Sequence, residues 1–574
     1  MRAWPLLALG VAACSTVERR FPLRSPISQD GDLRSVTAPC HAEPTAKDPA
    51  HVSCAPRAYR SPELWDELDG VLFRPLTEAI GVVHDGESVD VNSLDEVPDS
   101  SWFVNRLGVG AVSRDELVLG GCDPSLLLDS VGEGDWVIDK GKTSGSSPGF
   151  RVAIAGKGKY VFKLDDADQP ELSSAATVIA AAAYHAVGYH TTCEQVVYFK
   201  PSRLTLMPGL RYKFASFGEE RDFDRQALDR ILRSAPRRGD MVRMVASAWL
   251  PGHLIGPFRY EGTRSDDPND VVPHEDRREL RAVRVLASWL GHVDTPEKNS
   301  MDMWLADRSD QPDSSPGHVV HSFLDWGDSL GSNWPQPEIT RRMGFTYIVD
   351  WGDIASDFLT LGVPAHPWDE GRAAGHEMFG YFDAARFVPE QWKSEFPNPA
   401  FTRMTERDAA WMARILARFT PGMVRALAEA GRFTDPRNTA YVADTLEGRL
   451  DRILERYLTR LSSIADVHVE GGNRLCAIDL SEWRGLRNRK EFHYAARTGA
   501  GLPLRVARRE GGRLCVDLPH IAADGGDADD APGRYASVAI EDGVSQRPLR
   551  LHLYDLGPSR GYQLVGIERE GTTP

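Results

Sequence analysis

Two short segments in the middle of the chain carry acidic and amide side chains in an order that restricts how the chain can fold. The first, WLGHVDTPEKN, contains His292, Asp294 and Asn299, and the second, FLDWG, contains Asp325. One carboxylate can accept the proton of a hydroxyl group, while an amide oxygen and a second carboxylate can hold Mg²⁺ against phosphates. A site of this kind forms only if the fold brings the two segments together.

The sequence around these segments predicts elements that would bring them together. Residues Asp276–Leu290 have apolar side chains at helical spacing, which predicts an amphipathic helix that ends directly before the first segment. Ser300–Ala306 and His318–Leu324 have the pattern of two strands joined by a polar turn. A hairpin of these two strands would place Asp325 beside Asn299.

Earlier in the chain, a lysine and several glycines lie on predicted strands. Residues 158–165 alternate in polarity and predict a strand that carries Lys163, and residues 136–154 predict two strands joined by a loop with Gly145 and Gly149. Glycines allow backbone N–H groups to approach a phosphate closely. The loop matches neither Gly-x-Gly-x-x-Gly nor a Walker A sequence, so a phosphate cradle and a plain hairpin turn both remain open.

An alanine-rich segment, Glu171–Gly188, predicts a helix of high intrinsic propensity that stops at its glycine. Glu171 is its only acidic residue and lies in the first turn, where a carboxylate stabilises the helix dipole. Residues 193–199 and 242–250 predict further strands.

The order of these features is more specific than any one of them. A glycine-rich hairpin, a strand lysine, a helix, further strands, a long helix, His-x-Asp-x-x-x-x-Asn, a hairpin and Asp-x-Gly follow one another from about residue 136 to residue 331. This region resembles the protein-kinase-like superfamily, and in particular its divergent bacterial branch, including HipA-like kinases, and secreted atypical kinases. The resemblance implies an α+β, two-lobed fold with a β-rich N-lobe and a helical C-lobe, and the cofactors ATP and Mg²⁺.

The resemblance also implies roles for the residues of the two segments. Asp294 would accept the proton of the acceptor hydroxyl, and His292 would brace the catalytic loop. Asn299 and Asp325 would hold Mg²⁺.

On the nucleotide side, the resemblance places the ATP phosphates against Lys163. Glu171 would be the ion-pair partner of this lysine, and the loop with Gly145 and Gly149 would cover the phosphates. A role for Glu171 at the helix dipole competes with the ion pair.

Several features depart from the family pattern. Val293 stands where kinases have arginine, Trp326 stands where they have phenylalanine, and no Ala-Pro-Glu-like segment follows. Regulation by a phosphorylated activation loop is therefore in doubt, and the resemblance does not identify the substrate.

The N-terminus predicts export. An apolar run over residues 6–13 ends at Cys14, as in a short secretory signal with a lipobox-like end. The similarity to bacterial lipoproteins implies cleavage before Cys14 and attachment of diacylglycerol, which would hold the protein on a membrane of the cell envelope, outside the cytoplasm. The alternatives are a cleaved signal without lipid and a wrongly assigned start.

Seven cysteines include Cys14, and the other six allow up to three disulfides in an exported chain. Cys40 with Cys54 and Cys476 with Cys515 are possible local pairs, but the sequence leaves the connectivity open. No spacing of cysteine and histidine suggests structural zinc.

Composition excludes one class of partner and leaves others open. The formal charge of −16 over 574 residues, without a basic aromatic stripe, argues against nucleic-acid binding.

The sequence favours a membrane-anchored phosphotransferase that modifies a hydroxyl on a protein, sugar or envelope metabolite. Since ATP is scarce outside the cytoplasm, AMP transfer is also open. The alternative is an inactive kinase fold that serves as a binding scaffold. A hydrolase is a third hypothesis, but the sequence contains no nucleophile motif that supports it.

The pattern of elements divides the chain into six segments. Helical spacing continues through residues 406–463, and a period of two begins near residue 467. The predicted segments are a lipoprotein signal (1–14), a flexible tether (15–58), an N-terminal extension (59–135), an N-lobe (136–255), a C-lobe (256–466) and a small β-sandwich or barrel (467–574).

Overall fold

The computed structural model describes residues 20–44, 48–59, 62–81, 86–129, 135–142, 148–165, 167–213, 219–332, 340–369, 377–521 and 528–570. Over this part the chain is a mixed α+β protein with several separate sheets. Helices and strands are numbered below in chain order. No helix in the described ranges combines the length and the apolar composition that crossing a bilayer requires.

The largest sheet of the described residues has seven strands. They are β3 (Trp136–Gly141), β4 (Gly149–Ile154), β5 (Gly158–Lys163), β7 (Glu194–Phe199), β8 (Leu204–Leu206), β11 (Arg237–Arg238) and β12 (Met241–Ala248). The order is β11-β12-β5-β4-β3-β8, and β7 also pairs with β12. Aromatic side chains such as Phe150 and Phe162 form its core with helix α5 (Arg225–Ser234). Lys163 ends a central strand, and the strands predicted from the sequence are confirmed within a few residues.

Helix α4 (Leu172–Val187) follows this sheet and is buried along almost its whole length. Small alanine side chains let it pack closely on β7 and β12 and on helix α3 (Arg114–Leu119). The carboxylate of Asp165 fixes its start by accepting hydrogen bonds from the backbone N–H of Ser174 at 2.6 Å and from the hydroxyl of Ser174 at 2.8 Å. The predicted helix over Glu171–Gly188 is confirmed.

The helices after the sheet share one large core with α4. They are α6 (Arg278–Leu290), α8 (Pro399–Thr402), α9 (Glu406–Leu416), α10 (Pro421–Ala430) and α11 (Pro436–Tyr457). Trp289 of α6 donates a hydrogen bond from its indole to the backbone oxygen of Leu446 in α11, at 2.8 Å. Thr405 begins α9 with a capping box. Three helices lie towards the surface: α1 (Glu63–Leu68), α2 (Arg74–Ile80) and α7 (Trp351–Thr360).

A second sheet carries the predicted hairpin. Its strands are β6 (His190–Thr191), β13 (His253–Gly256), β14 (Ser300–Ala306) and β15 (Gly317–Phe323), in the order β13-β14-β15-β6. Ser300 pairs with Phe323, and the backbone N–H of Leu324 donates to the oxygen of Asn299 at 3.1 Å. The hairpin therefore joins the two motif segments, as the sequence predicts.

The C-terminal part consists of two sheets that share one apolar core. The first contains β16 (Ile464–Glu470), β17 (Arg474–Asp479), β20 (Val506–Arg508) and β21 (Arg513–Asp517). The second contains β18 (Ala495–Thr498), β19 (Pro503–Leu504), β22 (Tyr535–Glu541), β23 (Leu549–Asp555) and β24 (Tyr562–Arg569). A short helix, α12 (Leu480–Trp483), follows β17. Two sheets with a common core form a small sandwich.

The predicted tether over residues 15–58 is wrong for the described residues from 20 onwards. Phe21 is buried against the C-terminal sandwich, and the carboxylate of Asp32 accepts hydrogen bonds from the backbone and hydroxyl of Ser101. Val36 exchanges two backbone hydrogen bonds with Gly317 of β15. Two-residue strands, β1 (His41–Ala42) and β2 (Val52–Ser53), complete this segment. It has little periodicity because specific contacts, not a repeated apolar face, hold it.

Three disulfides are present among the described residues: Cys40–Cys54, Cys122–Cys193 and Cys476–Cys515. Two of them are the local pairs that the sequence allows. The third joins the predicted N-terminal extension to the residue before β7. A further short pair, β9 (Arg211–Tyr212) with β10 (Arg221–Asp222), lies beside the large sheet.

Candidate functional site

The two halves of the predicted site meet at an ion pair. Lys163, at the end of β5, donates from Nζ to Oδ1 of Asp325, just after β15, at 2.7 Å. Asp325 has a positive φ of 64°. That conformation is uncommon outside glycine and is tolerated best by residues such as aspartate and asparagine. The left-handed turn directs the chain away from β15 and brings the Asp325 carboxylate to Lys163.

Both members of the pair are charged at neutral pH. Burial alone would raise the pKa of Asp325, but the positive charges of Lys163 and Lys142 outweigh it and lower this pKa to about 2. Burial likewise opposes the charge of Lys163, but Asp325 outweighs it and holds the pKa of the lysine above its ordinary value. The site thus contains an ionised carboxylate and a fixed cation in contact.

Asn299 and Asp294 form the next contact. The amide Nδ2 of Asn299 donates to the backbone oxygen and to Oδ2 of Asp294, each at 2.9 Å. These bonds fix the amide so that its oxygen faces away from Asp294. The carboxylate of Asp294 also lies within hydrogen-bond reach of the carboxyl groups of Asp328 and Glu395.

His292 lies behind the loop and does not face the site. It is buried, and its Nδ1 shares a hydrogen bond of 2.9 Å with the hydroxyl of Tyr184 in α4. Burial lowers the pKa of His292 to about 4, so the ring is neutral at pH 7. Its contacts support the predicted bracing of the loop, but they leave no surface for contact with a substrate.

The two residues after Asp325, Trp326 and Gly327, each pack against the helical part of the protein. Trp326 is fully buried in the main helical core. A Cβ atom at Gly327 would lie 2.7 Å from Oγ of Ser173 at the start of α4. A larger residue would therefore require the Ser173 side chain to turn away.

Two further carboxyl groups, from Asp328 and Glu395, surround Asp294. Burial, followed by the negative charges of Asp294 and Asp325, raises the pKa of Asp328 to about 7. Burial and the charge of Asp294 raise the pKa of Glu395 to about 9. The backbone N–H of Glu395 donates to the oxygen of Val293 at 2.9 Å, which holds it at the loop. Sequence reasoning missed both residues; the acidic residue directly after Asp-Trp-Gly was the available signal.

Two further residues around Lys163 were also missed. Glu194, the first residue of β7, is buried and accepts hydrogen bonds from Ser247 and Thr192, each at 2.5 Å. Burial raises its pKa to about 6, while the charge of Lys163 partly offsets that rise. Burial and the charge of Lys163 lower the pKa of Lys142 to about 8.

The expected pairing of Glu171 with Lys163 is not formed. Glu171 is the N-cap residue of α4, and its carboxylate accepts hydrogen bonds from the backbone N–H and the hydroxyl of Thr434. Its φ of 72° turns it towards the loop after α10. The lysine pairs with Asp325 instead, because β5 ends directly opposite the turn after β15. Glu171 therefore joins the helical part to the start of α4.

Of the two predicted glycines and the predicted lipidation site, only Gly149 lies within the described residues. The oxygen of Gly149 accepts from the backbone N–H of Lys142 at 3.1 Å. A Cβ atom at Gly149 would lie 2.4 Å from the backbone oxygen of Phe162, so close strand packing requires this glycine. Gly145 and Cys14 lie outside the described residues.

A cavity opens beside the loop that contains Val293. Val293 and Asp328 line one wall, and Tyr381, Phe382 and Arg386 line another. Aromatic side chains beside a carboxyl group can hold a molecule that carries hydroxyl groups. The cavity lies next to the Asp294 loop.

Comparison of the chain with models of protein families, with curated proteins and with solved structures gives no match. The resemblance to kinases therefore rests on the motif residues and on the contacts described above.

Proposed function

We propose that the protein is a kinase-like phosphotransferase, anchored by lipid to a bacterial membrane outside the cytoplasm, which uses ATP and Mg²⁺ to modify a hydroxyl group. The contact of Lys163 with Asp325 at 2.7 Å carries this proposal. It joins a cation from the central strand of one sheet to a carboxylate from the turn after a second sheet. Lys163 and Asp325 come from segments far apart in the chain. Packing alone does not require that their charges meet beside Asn299 and Asp294.

The residues present fit a magnesium nucleotide. Asp325 and the amide oxygen of Asn299 would hold the cation, since hard cations prefer oxygen ligands. Bound Mg²⁺ would neutralise the charge that develops on the transferred phosphoryl group. Lys163 is the cation available to the α- and β-phosphates, and Lys142 adds positive charge on the same side.

Asp294 is the proposed base. Asn299 orients its carboxylate through Oδ2, and Val293 and Asp328 line the neighbouring cavity, from which a hydroxyl group would approach. In a largely dissociative transfer the proton moves late, so the main work of Asp294 is to orient the hydroxyl. His292 positions the loop through Tyr184, and it takes no proton at neutral pH because burial lowers its pKa to about 4.

Nucleotide binding tests this proposal through thermal stability. ATP with Mg²⁺ at a hundred times its dissociation constant should stabilise the protein by about 2.7 kcal/mol. Asp325→Asn and Lys163→Met should abolish the nucleotide-dependent gain, measured against each variant's own baseline. Asp310→Asn is the matched control, since it removes an exposed carboxylate from the turn between β14 and β15. No gain with any nucleotide in the parent chain would favour the binding scaffold.

Transfer itself is tested separately. Asp294→Asn should keep the nucleotide-dependent gain in stability and lose transfer of labelled γ-phosphate to acceptor or water. Unchanged transfer in this variant would remove Asp294 from the mechanism. Transfer of labelled AMP in place of phosphate would keep the site but change the reaction.

The proposed anchor has its own test. Cys14→Ser should move the protein from the membrane fraction to the soluble fraction, because lipidation needs the thiol. Continued membrane association of this variant would refute lipidation as the anchor and would leave the nucleotide site untouched.

A further inference from the structure

Two surface segments expose apolar side chains to an unusual degree. The first consists of α1, a π-helical turn (Asp69–Phe73) and α2, over residues 62–81; the second consists of α7 and the turn after it, residues 351–363. More than half of the exposed large hydrophobic residues in the described chain lie in these two segments. Contiguous exposed apolar surface on a folded protein marks a site of interaction.

In the first segment, apolar side chains face outwards and charged side chains face the protein. Leu64, Trp65 and Leu72 are exposed, whereas the charged Asp69 and Arg74 are half-buried. Arg74 forms ion pairs with Asp69 and with Glu297 of the catalytic loop, both at 2.8 Å. The segment thus turns its charges towards the proposed site and its apolar face outwards. A surface helix normally does the opposite.

The second segment continues the same surface. Helix α7 contacts α2, and no residue of α7 is buried. Phe358 and Leu359 are each 80% exposed, and Leu361 is 89% exposed. The two acidic residues of α7, Asp353 and Asp357, are only half-exposed. Among the side chains described in both segments, every fully exposed one is uncharged.

The length of chain before the first packed residue indicates what covers this surface. Phe21 is buried in the C-terminal sandwich, so only the six residues 15–20 would link a lipidated Cys14 to the folded body, a path of seven residue-to-residue steps. Such a link spans at most about 25 Å when fully extended. A protein tied this closely to a bilayer must rest one of its faces on the lipid. An uncharged apolar face edged by Trp65 and Trp351 suits the interface, where tryptophan is favoured.

We propose that the exposed face of α1, α2 and α7 lies in the interfacial layer of the membrane. This inference rests on the proposed anchor at Cys14. Because the inner side of the same segment contacts Glu297, the face would hold the catalytic loop close to the bilayer. The acceptor would then be a hydroxyl group presented at the lipid surface.

Site-directed fluorescence tests the face with the full chain. The six described cysteines are paired in disulfides, so Leu361→Cys supplies a thiol for a fluorophore; the parent chain, labelled alike, corrects for any label at Cys14. On phosphatidylcholine vesicles with brominated acyl chains, the label should lose about half of its fluorescence, since interfacial helices reach about 5–10 Å into the acyl boundary. Val271→Cys, an exposed apolar position outside both segments, is the control and should not be quenched.

A second variant separates the face from the anchor. Adding Phe358→Asp and Leu359→Asp to the labelled chain should abolish quenching at residue 361 while the protein stays with the vesicles. For Leu361→Cys without the two aspartate substitutions, vesicle-bound protein that shows no quenching would overturn the face and leave the anchor standing. Protein that does not bind vesicles would overturn both. Self-association that buries residue 361 without quenching would show that the face binds a second copy of the chain, and it would overturn the proposed lipid contact. Asp325→Asn in the chain labelled at residue 361 should be quenched as strongly as the labelled chain without it. The membrane contact is therefore tested independently of the nucleotide proposal.

Discussion

Asp95 offers the sharpest test of how the parts of this protein are held together. Its side chain is buried and contacts four arginines: Arg278 of α6 at 2.8 Å, Arg407 and Arg414 of α9 at 3.0 and 3.4 Å, and Arg569 of β24 at 2.9 Å. Despite burial, these charges hold the pKa of Asp95 well below its ordinary value. One carboxylate thus links the helix before the Asp294 loop, the helical core and the C-terminal sandwich.

Asp95→Asn removes the charge and keeps the shape. Asparagine also tolerates the positive φ of 61° at this position, so backbone strain should not contribute. Arg278 keeps Asp408 and Arg414 keeps Glu96 as ion-pair partners. For Arg569, no other ion pair occurs among the described residues. Removing one partner of a buried ion pair costs about 3–5 kcal/mol, and we expect about 4 kcal/mol here.

Thermal unfolding measures this cost. For a chain of this length that unfolds in one transition, a loss of about 4 kcal/mol lowers Tm by roughly 3 °C. Asp115→Asn, which changes a fully exposed aspartate, should stay within about 0.5 kcal/mol of the parent. Arg569→Met combined with Asp95→Asn should destabilise by less than the sum of the single variants. A Tm for Asp95→Asn equal to that of the control, or full additivity, would refute the role of Asp95 as the shared partner.

Three further outcomes are expected. Because burial and the charge of Asp294 raise the pKa of Glu395 from 4.5 to about 9, the folded state keeps a proton that the unfolded state releases between these values. Stability should therefore fall as pH rises through this window, by at most about 1.4 kcal/mol per pH unit. Glu395→Gln should flatten the fall in Tm between pH 5 and pH 8; an unchanged slope would contradict this. Glu171→Gln should leave the apparent Kd for magnesium nucleotide unchanged, since the carboxylate binds Thr434; a weakening of about tenfold or more, in titrations followed by thermal stability, would restore the ion pair with the lysine. Replacing Cys122 and Cys193 by serine opens a loop of sequence separation 71 and should cost about 4 kcal/mol in chemical denaturation; a loss no larger than that of a surface substitution would mean that the unfolded chain is not restrained by this bond.

Local pattern accounts for much of the fold. The elements from Trp136 to Phe323 follow the predicted order, since alternation and helical spacing are properties of short stretches of sequence. The hairpin that joins Asn299 to Asp325 follows from two adjacent strands and a turn. The two local disulfide pairs are among those that the sequence allows, although the sequence leaves the connectivity open. For the elements and the hairpin, the residues that form the structure are close in the chain, and the sequence alone was sufficient.

Long-range contacts decided the rest. Residues from 20 onwards have little periodicity, yet single contacts such as that of Phe21 with the sandwich hold them in place. Glu171 binds Thr434, and Glu395 reaches the Asp294 loop, through helices and turns that meet only in the assembled core.

The sequence by itself determined which side chains could form a phosphoryl-transfer site and in what order, because that information lies in motif residues and local periodicity. Only the tertiary structure decided the partners of those side chains. The pairing of Lys163 with Asp325, the extra carboxyl groups beside Asp294 and the outward apolar face of α1, α2 and α7 each depend on packing between segments far apart in the chain. Burial and the charges of those distant neighbours, which no local pattern records, set the protonation of the site.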